Sequence, residues 1–219
     1  LGLALIIGMV YAVLFNTNPT ALIPALFAGI NPWFFMSGTA DAGTTAFIGA
    51  EGYIKQTTVA AQIFPFRITM INFVNLLYSV LAFFSLYLFV KPDNFAPVML
   101  MCIPGLLVIF IFSLGIANLT SVVTLSLRDF QPLQALILQG LFYATPIIFQ
   151  PEMLKEKGFQ LVYELNPFYY MLEIVKKPML GQQLPELQVY IVAVLIAFTV
   201  FILSIFMVMR VQKTVAYRL

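Results

Sequence analysis

A chain of 219 residues with 62% hydrophobic side chains, 9% charged ones and a mean hydropathy of +0.98 lies outside the soluble globular range and reads as a polytopic membrane protein. The net charge of +2 comes from residues concentrated at the ends of apolar runs, so it speaks of topology and carries no nucleic-acid signature. With no histidine and one cysteine, Cys102 inside an apolar run, His/Cys metal sites, intrachain disulfides and Cys-His nucleophiles are excluded.

A helix that crosses the hydrocarbon takes about 20 residues, and the chain offers roughly six suitable runs. They are Leu1 to Phe15 (shortened), Ala21 to Gly43, Ile63 to Val90, Val98 to Leu127, Leu133 to Phe149 and Val189 to Met209. The fold expected is all-α, one transmembrane domain over residues 1–219. Asn16 to Thr20 and Lys91 to Pro97 read as turns from their Asn, Pro and Asp content. The chain does not begin with Met and is apolar from Leu1, so the natural start is expected upstream; a cleaved signal peptide fits less well, since no basic n-region is visible.

Arg210, Lys213 and Arg218 follow the last run with no acid among them, which places that end in the cytoplasm by the positive-inside rule. Counting outward, Ala46 to Gln62 and Arg128-Asp129 are then cytoplasmic, while Lys91 to Pro97 and Pro151 to Gln188 are external. The charge contrast itself is shallow, with Lys55 and Arg67 joining the inner set against Lys91, Lys155, Lys157, Lys176 and Lys177 outside.

The loop from Asp41 to Thr58 is too polar and Gly-rich for membrane interior. It is a candidate short helix offering Phe47, Ile48, Tyr53 and Ile54 to a partner; the pattern alone favours a solvated loop. In the segment from Pro151 to Gln188, Asn166-Pro167 is an N-cap with Pro at the first helical position, and Phe168, Met171, Leu172 and Val175 recur at helical spacing before Pro178. Glu173, Lys176 and Lys177 fall on the other faces. A weaker amphipathic pattern of Leu154, Leu161, Val162 and Leu165, alongside Glu152, Lys155, Glu156 and Glu164, precedes it. Neither helix can cross a bilayer, so each lies on the interface or dips into it, and an interfacial anchor fits as well as a re-entrant element.

The runs hold almost no ionisable groups, which argues against an ion-coupled carrier. Thr69, Asn72, Asn75 and Ser79 share one helical face, readable as a pathway strip or, slightly better, as interhelical hydrogen bonding. Ser113, Ala117 and Ser121 form a small-xxx-small packing face. No phosphate-binding loop of the GxxxxGK[ST] type occurs, so nucleotide hydrolysis would need a separate chain. No catalytic or metal-binding set is expected.

The ordered set Asn31-Pro32-Trp33-Phe34-Phe35, Gly52-Tyr53-Ile54-Lys55, Phe64-Pro65, Arg128-Asp129, Thr145-Pro146-Ile147, Leu165-Asn166-Pro167-Phe168-Tyr169-Tyr170 and Pro178-Met179-Leu180-Gly181 resembles type-2 ABC exporter permeases. The closest branch is the polysaccharide exporters for O-antigen, capsule or teichoic acid. The resemblance implies a homodimer in the bacterial inner membrane bound to two copies of an ATPase that carries ATP and Mg, with no cofactor in this chain. Its cargo would be an undecaprenyl-linked glycan. Glu51, Gly52, Tyr53, Ile54 and Lys55 would form the coupling helix that docks the ATPase. Arg128, Asp129 and Phe130 would lie at a cytoplasmic gate, where a basic residue could meet the lipid pyrophosphate; a juxtamembrane anchor is the plainer reading of Arg128. Asn166, Pro167, Phe168, Tyr169 and Tyr170 would belong to a re-entrant pair at the external exit, as sugar contacts or seals. The amphipathic helix that such permeases carry before their first span is not in this sequence, and Lys stands at 176 and 177 where relatives often have Arg. A small-lipid or drug permease of the same superfamily, a channel or secondary carrier, and an enzyme using Glu152, Glu156 and Glu164 are the rival readings.

Overall fold

The computed structural model describes residues 2, 6, 8–11, 19–56, 59–90, 95–147, 151, 158, 160–181, 184–212 and 214–218. Those residues are helical, with turns and short extended links and no strand among them. In chain order they form α1 (Pro19–Thr44), a 3-10 turn (Ile48–Ala50), α2 (Glu51–Gln56), α3 (Ile63–Val90), a second 3-10 turn (Pro97–Met101), α4 (Cys102–Ser126), α5 (Phe130–Ala144), α6 (Gln160–Glu164), α7 (Pro167–Met179), α8 (Leu187–Val211) and α9 (Val215–Arg218). Of the expected first span, only 2, 6 and 8–11 are described, and they are helical; its remainder, the turn at 16–18, Lys91 to Asn94 and residues 152–157 lie outside the described residues.

Among the described residues, three stretches are long and apolar enough to cross a membrane: Ile63–Phe89, Pro97–Ser126 and Leu187–Val211. These match the third, fourth and sixth expected runs closely. The fifth run is shorter than its apolar content suggests. It was expected over Leu133 to Phe149, yet α5 ends at Ala144 after 15 residues, about 22 Å of helix. The reason is local: Thr145 precedes Pro146, whose ring disfavours the α conformation of the residue before it.

By packing, the chain divides into two units. Unit 1 comprises 1–33, 75–106 and 142–193; unit 2 comprises 34–74, 107–141 and 194–219. Unit 1 has an aromatic core. Trp33 packs against Phe142 and Phe168 with ring centroids 5.7 and 5.2 Å apart, and Phe83 against Phe27 and Tyr87 at 5.7 and 5.5 Å. Cys102 is buried there, as a small apolar residue should be.

Unit 2 is held differently. Thr39, Thr44, Thr69, Ser113, Asn118, Thr120, Ser121, Thr124 and Ser204 are all buried in it. Several bond across helices: Asn72 Nδ2 donates to Thr39 Oγ1, Asn118 Nδ2 to Ser204 Oγ and Thr120 Oγ1 to Ala40 O, each at 3.2 Å. Lipid offers no hydrophobic force to drive helices together, so small residues and hydrogen bonds do this work. The expected small-residue face is where close packing occurs: a Cβ on Gly43 would stand 2.8 Å from Ala117 Cα.

Candidate functional site

Two clusters gather the signature residues, one in each unit. In unit 1 the centre is Thr145-Pro146-Ile147. After α5 stops, Ile147 N–H closes on Thr145 O at 2.7 Å, a three-residue turn for which Pro146 presets the backbone. All three residues are buried. Asn166 Nδ2 donates to Thr145 Oγ1 at 2.7 Å, and Lys176 Nζ donates to Pro146 O and Ile147 O at 3.1 Å each. The α1 backbone also arrives here, since a Cβ on Gly29 would lie 2.8 Å from Ile147 O. Motifs separated by 20 to 30 residues in sequence thus form one polar knot inside an apolar shell.

Asn166 serves two partners. Its Nδ2 reaches Thr145, while its Oδ1 accepts from Phe168 N–H at 3.0 Å and caps α7, with Pro167 at the first helical position as expected. The far end of α7 closes at Leu180, followed by Gly181 in the left-handed region at φ 66°, the usual place for a helix-ending glycine. Pro178 does not stop the helix before its last turn, as the sequence suggested, but lies inside it.

The faces of α7 are a correction to the amphipathic reading. Glu173 and Lys176 are buried along with Phe168, Met171, Leu172 and Val175, so α7 is enclosed on nearly every side. Glu173 pairs with Lys177 at 2.7 Å; the Glu173 side chain is 2% exposed and that of Lys177 33%. One turn of spacing lets the lysine snorkel outward while neutralising the buried carboxylate. Among the exit residues of the sequence reading, Phe168 and Tyr169 are buried and Tyr170 is half-buried, its hydroxyl donating to Glu164 O at 2.9 Å. Burial first, then the charge of Glu164, pushes the Tyr170 hydroxyl above its ordinary pKa, so it remains a neutral donor.

In α6 the apolar stripe lies on the outer surface. Leu161, Val162 and Leu165 are exposed, and Tyr163 points inward against Tyr169 with centroids 4.8 Å apart. Apolar periodicity finds the buried face only when the solvent is water; beside lipid or a second subunit it does not.

In unit 2 the expected short helix is present as α2, led in by the 3-10 turn. Phe47 is 1% exposed in a cluster with Ala61, Val122, Val208 and Val215, and Ile54 and Phe64 pack against it. Phe47 and Ile54 are therefore seats for the helix, where the sequence reading had offered them to a partner. Ile48 and Tyr53 remain outward, Tyr53 at 69% exposure. Glu51 and Lys55 form an exposed i,i+4 pair, which stabilises the helix little but matches its macrodipole. Hydrogen bonding to Lys55, then its charge and last that of Arg128 hold Glu51 below the usual carboxylate pKa. Arg128 and Asp129 are exposed in the turn before α5, and Phe130 is half-buried at its start.

The four polar residues on α3 find different partners. Thr69 is buried and donates to Pro65 O, Asn72 bonds Thr39, and Ser79 donates to Asn75 O. Thr69 and Asn72 belong to unit 2 while Asn75 and Ser79 belong to unit 1. Among the described residues no group of His, Cys, Asp and Glu could hold a metal ion.

Residues 1–180 match the family model described as "ABC-2 type transporter". The chain belongs to the ABC-2 type transporter family. Among curated relatives, this family member is 27% identical over 173 residues to "O-antigen export system permease protein RfbA" of Klebsiella pneumoniae, covering 77% of its own length and 66% of the relative. A second protein of that name from the same species is 26% identical over the same span, and one from Myxococcus xanthus 22% identical over 184 residues, covering 81% and 70%. This chain therefore spans just under two thirds of the length of the Klebsiella relatives. The family match ends at residue 180, so it includes the Thr145–Lys176 knot and α2 but not Val208, Val211 or Val215 of the second cluster. As an ABC-2 family chain it is a multi-pass membrane protein of the transport-subunit type.

Gly52 separates packing from docking within α2. A Cβ there would meet nothing within 4 Å, so Gly52→Ala should leave stability unchanged or raise it by about 0.5–1 kcal/mol through helix propensity. Thermal unfolding in detergent checks this; a clear drop would mean that the space beside Gly52 is filled.

Proposed function

We propose that this chain is the membrane subunit of an ATP-driven exporter that moves a lipid-linked polysaccharide, of the O-antigen class, across the bacterial inner membrane. The observation that carries the reading is the similarity to O-antigen export permeases over 173 to 184 residues, together with the knot that ties Thr145-Pro146-Ile147 to α7. The subunit works as a homodimer of six-span chains with its last helix ending in the cytoplasm, each copy bound to one ATPase. ATP and Mg sit on that partner. In this reading α2 is the coupling helix: Tyr53, Ile48 and the Glu51–Lys55 pair face the ATPase, while Phe47 and Ile54 pass its displacement to the ends of α4 and α8 through Val122, Leu125, Val208 and Val211.

Arg128 meets the pyrophosphate of the undecaprenyl carrier by charge-assisted hydrogen bonds, with Asp129 and Phe130 setting the turn that presents it. At the exit, Phe168 and Tyr169 are seals, because burial denies them a face for sugar, and Tyr170 is the residue left for glycan contact. Asn72 holds α3 to α1 through Thr39, while Thr69 bonds back to Pro65 O within α3. A mild-detergent pull-down of the tagged chain tests the assembly: a stoichiometric partner with a phosphate-binding loop is expected, and a clean complex without one overturns the assignment. Deleting the chain should strip the glycan from the cell surface.

Charge reversal at both Glu51 and Lys55, or Tyr53→Pro, should lower export by about tenfold or more while the dimer still assembles. Surface glycan, scored against the amount of dimer in the membrane, reads this. Parental export in both variants would remove α2 from the coupling role.

A further inference from the structure

Lys176 lies in the last turn of α7 at 9% exposure, and its Nζ donates to Pro146 O and Ile147 O. An ammonium leaves water only where other oxygens replace its shell. The oxygens here belong to the turn that follows α5, where a helix end leaves carbonyls without intrahelical donors and where the macrodipole is negative. Asn166, at the opposite end of α7, holds Thr145 in the same turn. Both ends of one helix are thus fastened to three consecutive residues.

We propose that Lys176 is a positioning residue of the exit: it keeps α7 seated on the Thr145–Ile147 turn, and that seat is required for glycan to leave. The idea deepens the exporter reading and rests on it. α7 cannot part from the turn without stranding a charged donor and two carbonyls in an apolar interior. Arginine retains the charge and the donors, so it should keep the seat. Methionine retains the bulk and loses both.

The test uses the full exporter complex in native membranes, in a Cys102→Ser background carrying Met171→Cys as reporter, since Met171 is 0% exposed on α7. The probe is a membrane-impermeant maleimide. Lys176→Met should raise the labelling rate, and lower surface glycan, by about tenfold or more, while Lys176→Arg stays within about threefold of the parent in both. Labelling at the parental rate in Lys176→Met overturns the seat, and raised labelling with parental export overturns its role in release. If Lys176→Met fails to reach the membrane, Lys176→Gln takes its place under the same criteria. Should deletion of the chain leave surface glycan unchanged, the exporter reading fails, and the labelling ratio still decides whether Lys176 seats α7.

Discussion

Gly105→Val should lower the thermal midpoint of the detergent-solubilised chain by roughly 5–10 °C, the shift expected when overpacking costs about 2–3 kcal/mol in a chain of this size. Gly105 lies near the start of α4, and a Cβ there would stand 2.5 Å from Ile174 O and 3.1 Å from both Ile174 C and Val175 Cγ2. The obstacle is backbone. A flexible side chain could step aside, but Ile174 and Val175 are both fully buried in a helix that is enclosed and capped. The approach has a chemical origin. Pro178 stands four residues after Ile174 and has no N–H to close the helical bond to that carbonyl. Only a residue without a side chain brings its backbone, and a weak Cα–H donor, against the oxygen. Gly105→Ala should give a smaller loss of the same sign. A midpoint within about 1 °C of the parent for the valine variant would refute the close packing of α4 on α7.

Asn166→Ala should cost about 2–4 kcal/mol, because a single side chain serves as a helix cap and as one half of a buried hydrogen bond. Truncation leaves Phe168 N–H without its acceptor and Thr145 Oγ1 without the Asn166 donor in a site where Asn166 is 4% exposed. Asn166→Asp keeps an acceptor for Phe168 N–H and reverses the tie, because the Thr145 hydroxyl then donates to the carboxylate, so it should retain more stability than Asn166→Ala. Thr145→Val completes a double-mutant cycle, with a coupling energy of about 1 kcal/mol expected from the direct bond. Additive losses in Asn166→Ala and Thr145→Val would mean that the bond contributes nothing of its own.

The legible part of the fold follows one physical rule. Long apolar runs must bond their backbones internally in lipid, so Ile63 to Val90, Val98 to Leu127 and Val189 to Met209 could be read as helices before any geometry was known. Local punctuation was readable at one end: Asn166-Pro167 begins a helix, whereas Pro178, read as its stop, lies inside it and the helix runs on to Met179 before Leu180 caps it and Gly181 follows. Two of the motifs that carry the family resemblance, Thr145-Pro146-Ile147 and Asn166-Pro167, meet in one cluster, although nothing in the spacing announced that Thr145, Asn166 and Lys176 would converge.

What the sequence by itself determined is the helical class, the membrane setting and the Asn166 cap, since each depends on hydropathy or on bonds within a few residues. Tertiary structure alone decided which side of each short helix is inside. Lys176 and Glu173 looked solvated because a charge on an amphipathic helix usually is, yet carbonyls from a distant turn and a neighbouring lysine replace water around them. Leu161 and Leu165, read as the apolar stripe of an interfacial or re-entrant helix, stand on the surface while Tyr163 turns inward. Phe47 looked offered and is a core anchor. Burial of a polar group is set by the partners that long-range packing brings to it, and those partners leave no trace in the local sequence.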